Sequence, residues 1–218
     1  MTRLELRNQF RVENPEMTER VITDGQLDSF MLSGNKEICC LTRCIQTNET
    51  QVIDSVEDTQ YYDLEGNIDQ FYDIDDMPGG GVYYDDVPLS KKSASEMNYI
   101  NKRWKTQDSG TPRYYWRRGK YLWLDRAPDE DDVEIGVDAI LIPDDFNDDG
   151  KEPFNEIGSL QVYADGILKY VQYRAKQKIG KHDEAAIAQK DYAAYIKWMG
   201  KLVRSSKFGA VHMRPSGV

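Results

Sequence analysis

The sequence is poor in the residues that usually carry reaction chemistry. It has two histidines, His182 and His212, one between two helical stretches and one close to the end. No Ser/His/Asp or Cys/His arrangement can be assembled around them. There is no Gly-x4-Gly-Lys-Ser/Thr phosphate loop and no Gly-x-Gly-x-x-Gly turn, and the glycine triplet 79–81 is not followed by a helix start. The three cysteines, Cys39, Cys40 and Cys44, fall in one segment. Their odd number and spacing fit no zinc pattern, so they read as free thiols of a reducing compartment. Nothing approaches the roughly 20 apolar residues of a membrane span. The start, Met1-Thr-Arg-Leu-Glu-Leu-Arg, is charged and no apolar run follows it, so no secretory signal is expected. Carboxylates are plentiful enough to supply an acid/base pair, but abundance is not a site, and the chain is not expected to be an enzyme.

Positive charge is also in deficit. Against 38 Asp and Glu stand 28 Lys and Arg, a formal net charge of −10 over 218 residues. Such a chain repels nucleic acid on average, which argues against a sequence-reading DNA binder. The charge is segregated. Residues 44–90 hold 12 acids and no Lys or Arg, and residues 91–126 hold 10 bases and 3 acids. Residues 127–156 return to 12 acids with one Lys, and residues 157–218 to 11 bases with 4 acids. One reading is that each block is a solvated face. The other is that an acidic block of one copy meets a basic block of the next, which fixes register between partners. The 14 Tyr, 6 Phe and 4 Trp suit either a β-rich core or an interface.

Periodicity divides the chain into four stretches. In 1–43, Leu4 to Val12 suggests a short helix stopped near Pro15. Thr23-Asp24 caps a second helix carrying Leu27, Phe30, Met31, Ile38 and Leu41, which Gly34 is expected to divide. In 44–152 the pattern shortens to β-prone runs at Val52-Ile53, Tyr61-Tyr62, Phe71-Tyr72 and Val82 to Tyr84. Met77, Pro78, Gly79 and Gly80 read as a loop tip, and Ser93 to Asn101 as a short helix. Pro112 to Trp116 and Tyr121 to Leu124 flank Arg117, Arg118, Gly119 and Lys120, a hairpin signal with Gly119 in the turn. Val133 to Ile142 reads as one strand. In 153–204, a stripe from Ile157 to Ile179 ends at Gly180, and Asp183 is expected to cap a second helix bearing Ile187, Tyr195, Trp198 and Leu202. Residues 205–218 cannot build a core. They read as an extended tail, either frayed or ordering on a partner. The expected class is α+β: a helical platform from both ends of the chain, an inserted antiparallel β region, and the tail.

One motif fits a binding template. Asp145, Asn147, Asp149 and Glu156, with Gly150 at the sharp turn, match a twelve-residue calcium loop. A strand-like segment precedes it, and Glu152 and Pro153 are unusual at their positions. The alternative is a surface loop leading into the long helix.

Taken in order, the pieces resemble one family. They are Ile22-Thr23-Asp24 with Leu27; Tyr61-Tyr62-Asp63-Leu64; Tyr99 and Trp104; and Gly110-Thr111-Pro112-Arg113-Tyr114-Tyr115. Then come Lys120-Tyr-Leu-Trp-Leu124, Ala127-Pro128-Asp129, a strand through Ile135 and Val137, and two closing helices. Over residues ~20–205 this order resembles the adaptor, or head–tail connector, proteins of podoviruses, of the tail tubular protein A type. The acidic stretches 65–90 and 144–152 depart from the pattern. The resemblance implies a dodecameric homo-oligomeric ring in the virion neck, docked beneath the portal protein. It implies contacts with a tail nozzle protein and with tail fibres or spikes. It also implies a lumen through which genomic DNA passes without sequence-specific binding. It would place Lys207, Phe208, Val211, His212, Met213 and Arg214 against the portal. Met77, Pro78, Gly79, Gly80, Arg117 and Arg118 would face the tail. No cofactor is implied, calcium at the acidic loop aside.

Overall fold

The computed structural model describes residues 1–47, 49–76, 80–106 and 108–211, with backbone alone at 106 and 205–211. In chain order the elements are α1 (Arg3–Glu13), α2 (Asp24–Thr42), β1 (Gln51–Asp54), β2 (Tyr61–Asp63), α3 (Leu64–Asn67), β3 (Phe71–Ile74), β4 (Val82–Tyr84), β5 (Val87–Pro88) and β6 (Ser90–Lys91). They continue as α4 (Ala94–Ile100), β7 (Tyr114–Arg118), β8 (Tyr121–Leu124), β9 (Glu134–Val137), β10 (Ala139–Leu141), α5 (Asp165–Lys178) and α6 (His182–Val211). The chain is α+β and divides into two units: Met1–Ile45 with Ile142–Val218, and Gln46–Leu141.

In the helical unit, α5 packs against both α2 and α6, and α1 lies on α2. Thr2 with Glu5, and Thr23 with Gln26, form capping boxes that satisfy the first free N–H groups of α1 and α2. Leu6, Phe10, Leu27, Met31, Ile38, Ile167, Val171 and Met199 are buried, each on the apolar stripe of its helix. Gly34 does not divide α2, which is continuous. A Cβ at Gly34 would stand 2.8 Å from Cδ1 of Tyr170, so the glycine lets α5 approach. Gly166 does the same for Tyr195 at 2.6 Å.

The long helix also starts later than its stripe suggests. Phe154, Asn155 and Glu156 form a left-handed turn, Gly158–Tyr163 is 3-10, and α5 begins at Asp165. The turn is held because Phe154 is fully buried and its N–H donates to Oδ1 of Asn35 at 3.2 Å. Gly180, at φ +80°, stops α5 as expected, but Asp183 lies inside the first turn of α6 and is not its cap. The backbone of α6 runs to Val211, so 205–211 of the expected extended tail are helical; 212–218 lie outside the described residues.

The β unit holds two four-stranded sheets, ordered β1-β9-β4-β5 and β2-β8-β7-β6, and the pair β10-β3. Every pairing is antiparallel except the two-residue parallel contact of β6 with β7. Alternation sets the faces. Tyr62, Leu122, Leu124 and Tyr115 turn into a core with Ile53, Phe71, Ile135 and Val137. The β7–β8 hairpin closes with two loop residues. Gly119 comes first, at φ +60°, where a type II′ turn places glycine. The single strand expected over Val133 to Ile142 is two, β9 and β10, which belong to different sheets. Between them the Asp138 carboxylate accepts from the Thr50 hydroxyl at 2.8 Å and the Gly81 N–H at 3.1 Å.

Candidate interaction surfaces

Arg3, Arg7 and Arg11 recur every fourth residue and so share one face of α1. Opposite them lie Asp24 and Asp28 of α2, also four apart. Arg7 is bidentate on Asp28 and reaches Asp149, all at 2.8 Å. Arg3 bonds Asp149 at 2.8 Å, and Arg11 bonds Asp24 at 2.7 Å. The Arg3 and Arg7 guanidiniums hold the Asp149 carboxyl below the usual carboxylate range. Lys36 takes Asp145 at 2.7 Å, and the N-terminal ammonium takes Glu152 at 3.2 Å. Two of the four residues of the calcium template are thus held by cations that an ion would have to displace. Asn147 is exposed, and Glu156 sits exposed in the left-handed turn. Among the described residues no group of three or more His, Cys, Asp or Glu is placed to hold a metal ion. The acidic segment belongs to the helical unit, serving as the far side of an ion-pair network that fastens the N terminus.

The outer face of the second sheet is different. Tyr114 and Trp116 alternate out of β7, and Tyr121 and Trp123 out of β8, while Tyr61 on β2 pairs with Trp123. The rings form a row across the strands: Tyr61 to Trp123 at 5.0 Å and Trp123 to Trp116 at 6.3 Å, both tilted. Trp104 meets Trp116 and Trp123 edge-on at 5.9 and 6.1 Å. Each such pair contributes about 0.5–1.5 kcal/mol beyond burial. Lysines perch over the rings, Lys105 at 5.4 Å from Trp104 and 5.9 Å from Trp123, and Lys92 at 5.5 Å from Tyr114. Tyr61 remains 51% exposed, and Trp116 and Trp123 are partly exposed. Nε1 of Trp123 is buried with no hydrogen-bond partner. A groove of about 670 Å³ runs beside Trp116, bordered by Lys91, Lys92 and Glu96.

One end of the first sheet is acidic. Asp54 pairs with Glu134 across β1 and β9, and Asp85 N–H donates to the Glu134 carbonyl at 3.0 Å. Glu57 N–H donates to the Asp131 carboxylate at 2.7 Å, and Asp58 N–H to the Pro128 carbonyl at 3.0 Å. Asp86, Asp129, Glu130 and Asp132 complete a patch of ten exposed carboxylates with no Lys or Arg in segments 54–58, 85–86 and 129–134. Burial, then the nearby Asp129, pushes the Tyr84 hydroxyl above its ordinary range.

The remaining expected contact residues fall as follows. Lys207, Phe208 and Val211 are on the backbone of α6, and His212, Met213 and Arg214 lie outside the described residues. Met77, Pro78 and Gly79 also lie outside them, and Gly80 packs close to the Asp75 carbonyl. Arg117 is a strand residue rather than a loop residue. Its guanidinium pairs with Asp73, donates to the Tyr72 carbonyl at 3.0 Å and covers the Phe71 ring. Arg118 is exposed at the end of β7. Sequence reading recorded the aromatics and the acidic blocks but not their gathering into two opposed surfaces. The period-2 alternation of Tyr114, Trp116, Tyr121 and Trp123 was the available signal.

The cysteines are free thiols, and burial pushes the Cys39 thiol up. His182, the one histidine among the described residues, is exposed at the head of α6. No helix among them is long and apolar enough to cross a membrane. An aromatic row on an open sheet face and an acidic end are surfaces of the kind that suit contact with other proteins. The model of the SU10 adaptor protein family matches residues 1–215, and the chain belongs to that family. It is thus a phage structural adaptor and a virion component. No curated protein matches the chain.

Proposed function

We propose that copies of this chain form the dodecameric ring that joins the portal protein to the short tail of a podovirus, in the manner of the tail tubular protein A type. The observation that carries this is the family match over residues 1–215. The order of elements agrees with it: helices from both ends of the chain and a β unit between them. On this reading both units belong to the ring, and the seam between copies is left open. The tail nozzle, and fibres or spikes, attach below. Genomic DNA passes through the lumen without sequence-specific contact. A chain of net charge −10 suits that role, because an acidic wall makes few phosphate contacts and lets the duplex slide. The protein performs no catalysis of its own.

The end of the chain is assigned to the portal. It carries Lys207 and Arg214 with Phe208, Val211 and Met213 and no acid, a composition that orders on a partner. Deleting 205–218 is expected to leave the thermal midpoint within a few degrees of wild type and to abolish co-sedimentation with the cognate portal. Wild-type protein that does not bind that portal, or a virion map placing the chain outside the neck, rejects the assignment. Full-strength docking by the truncated protein rejects the tail's part in it alone.

A further inference from the structure

We propose that the aromatic face of β2, β8 and β7 receives the acidic end of the β unit of a second copy, so that neighbours join head to tail through these two surfaces. The inference rests on the ring reading above and names the seam that reading leaves open.

The face asks for a partner of a particular kind. Trp116, Trp123 and Tyr61 present partly exposed rings, and Lys92 and Lys105 stand over Tyr114 and Trp123. Rings under ammonium groups make a surface that an acidic segment fits and a neutral one does not. A partner carboxylate meets the lysine head, and the rings shield the contact from water.

The acidic end asks for the converse. Its ten carboxylates repel one another, and four of its aspartates, Asp58, Asp85, Asp86 and Asp132, lie at positive φ in the turns that present them. The ion pairs of the β unit include Lys91–Asp76, Arg117–Asp73 and Lys120–Asp63. None of them draws on the acidic end, on Lys92 or on Lys105. The two surfaces therefore carry opposite charge that these pairs do not neutralise.

They are also different patches of one unit. A contact between unlike patches is heterologous, and repeating it generates a closed ring when the rotation allows. Like patches meeting across a two-fold axis would set acid against acid. Single-stranded nucleic acid could also stack on such rings. The chain disfavours it, because its net charge of −10 repels a polyanion on average.

Two charge reversals test the seam. Lys92→Glu with Lys105→Glu makes the face acidic, and Glu130→Lys with Asp131→Lys makes the end basic. Each double variant is checked for an unchanged far-UV spectrum. Each alone is expected to weaken self-association about tenfold or more, read by mass photometry with and without portal. Their equimolar mixture is expected to restore it, because each now complements the other. Carbodiimide coupling of mixed light and heavy isotope copies of the wild type should link Lys92 or Lys105 of one copy to Glu57, Asp58, Glu130 or Asp131 of another.

Variants that assemble like wild type, with couplings elsewhere, overturn the seam and leave the ring reading standing. A wild type that forms no oligomer, alone or on portal, overturns both. Tight binding of oligo-dT that the lysine reversal abolishes reassigns the face to nucleic acid.

Discussion

In the helical unit, Asp24, Asp28 and Asp149 each meet an arginine of α1, while in the β unit the ten carboxylates of the acidic end meet no cation among the described residues. Both regions are acid-rich in sequence, yet the acids of the first are paired with cations of the same unit and those of the acidic end are not. The helical unit ties its two chain segments together from within: Arg7 is only 12% exposed and is fully occupied by Asp28 and Asp149. The β unit closes its core with Leu122, Leu124, Ile135 and Val137 and leaves its charge and its aromatic row at the surface. The difference separates two uses of charge. Where opposite signs meet inside one chain they fix its shape; where they are held apart they stay at the surface, open to pairing with another chain.

That division can be broken most severely at Phe154. The ring is fully buried and holds a left-handed turn that disfavours L residues. Phe154→Ala is expected to cost about 3–5 kcal/mol, read as a drop in the urea midpoint. A loss under about 1 kcal/mol would mean the turn is held by something other than this side chain. Gly34→Val comes next. Its new side chain enters the ring of Tyr170, whose Cδ1 lies 2.8 Å from an added Cβ. Overpacking of this kind costs about 1–3 kcal/mol. If the variant is as stable as wild type, α2 and α5 have room to part, and the close approach is not a requirement of the helical unit.

How far the sequence could foresee these features depended on the range of the interaction. The cap at Thr23, the short helix after Ser93, the hairpin around Gly119 and the stop at Gly180 are local, and they read correctly because a few neighbouring residues decide them. Gly34 looked like a break because glycine is a poor helix former. What fixes it is Tyr170 on another helix, which no local pattern can show. The left-handed turn at Phe154 was missed for the same reason: its anchor, Asn35, lies 119 residues away. The strand over Val133 to Ile142 was seen, but its division at Asp138 depends on Thr50 and Gly81 from other loops. In the acidic loop, residue types suggested a cation site. The partners that came, Arg3 and Arg7, stand more than a hundred residues upstream. The two surfaces were legible only as counts, the acids in two blocks and the bases and tryptophans in a third. Their gathering needed the sheet.

The mildest change sharpens the comparison best, because it alters charge and almost nothing else. Asp149→Asn removes the carboxylate shared by Arg3 and Arg7 and keeps the side-chain size. In the folded chain these hydrogen bonds hold the Asp149 carboxyl below its unfolded value. The group therefore contributes its stability fully above the ordinary carboxylate range and loses it as the pH falls through the depressed folded value. The wild type should lose part of its stability on acidification across that window. The variant should already lack that part at neutral pH, so the gap between the two urea midpoints narrows as the pH is lowered. The same substitution at Asp131, whose carboxylate accepts the Glu57 N–H and is in no ion pair among the described residues, should change the stability read from the urea midpoint at neutral pH by about 0.5 kcal/mol or less. If the Asp131 variant loses as much stability at neutral pH as the Asp149 variant does, the acidic end is serving the fold after all, and the contrast between the two units fails.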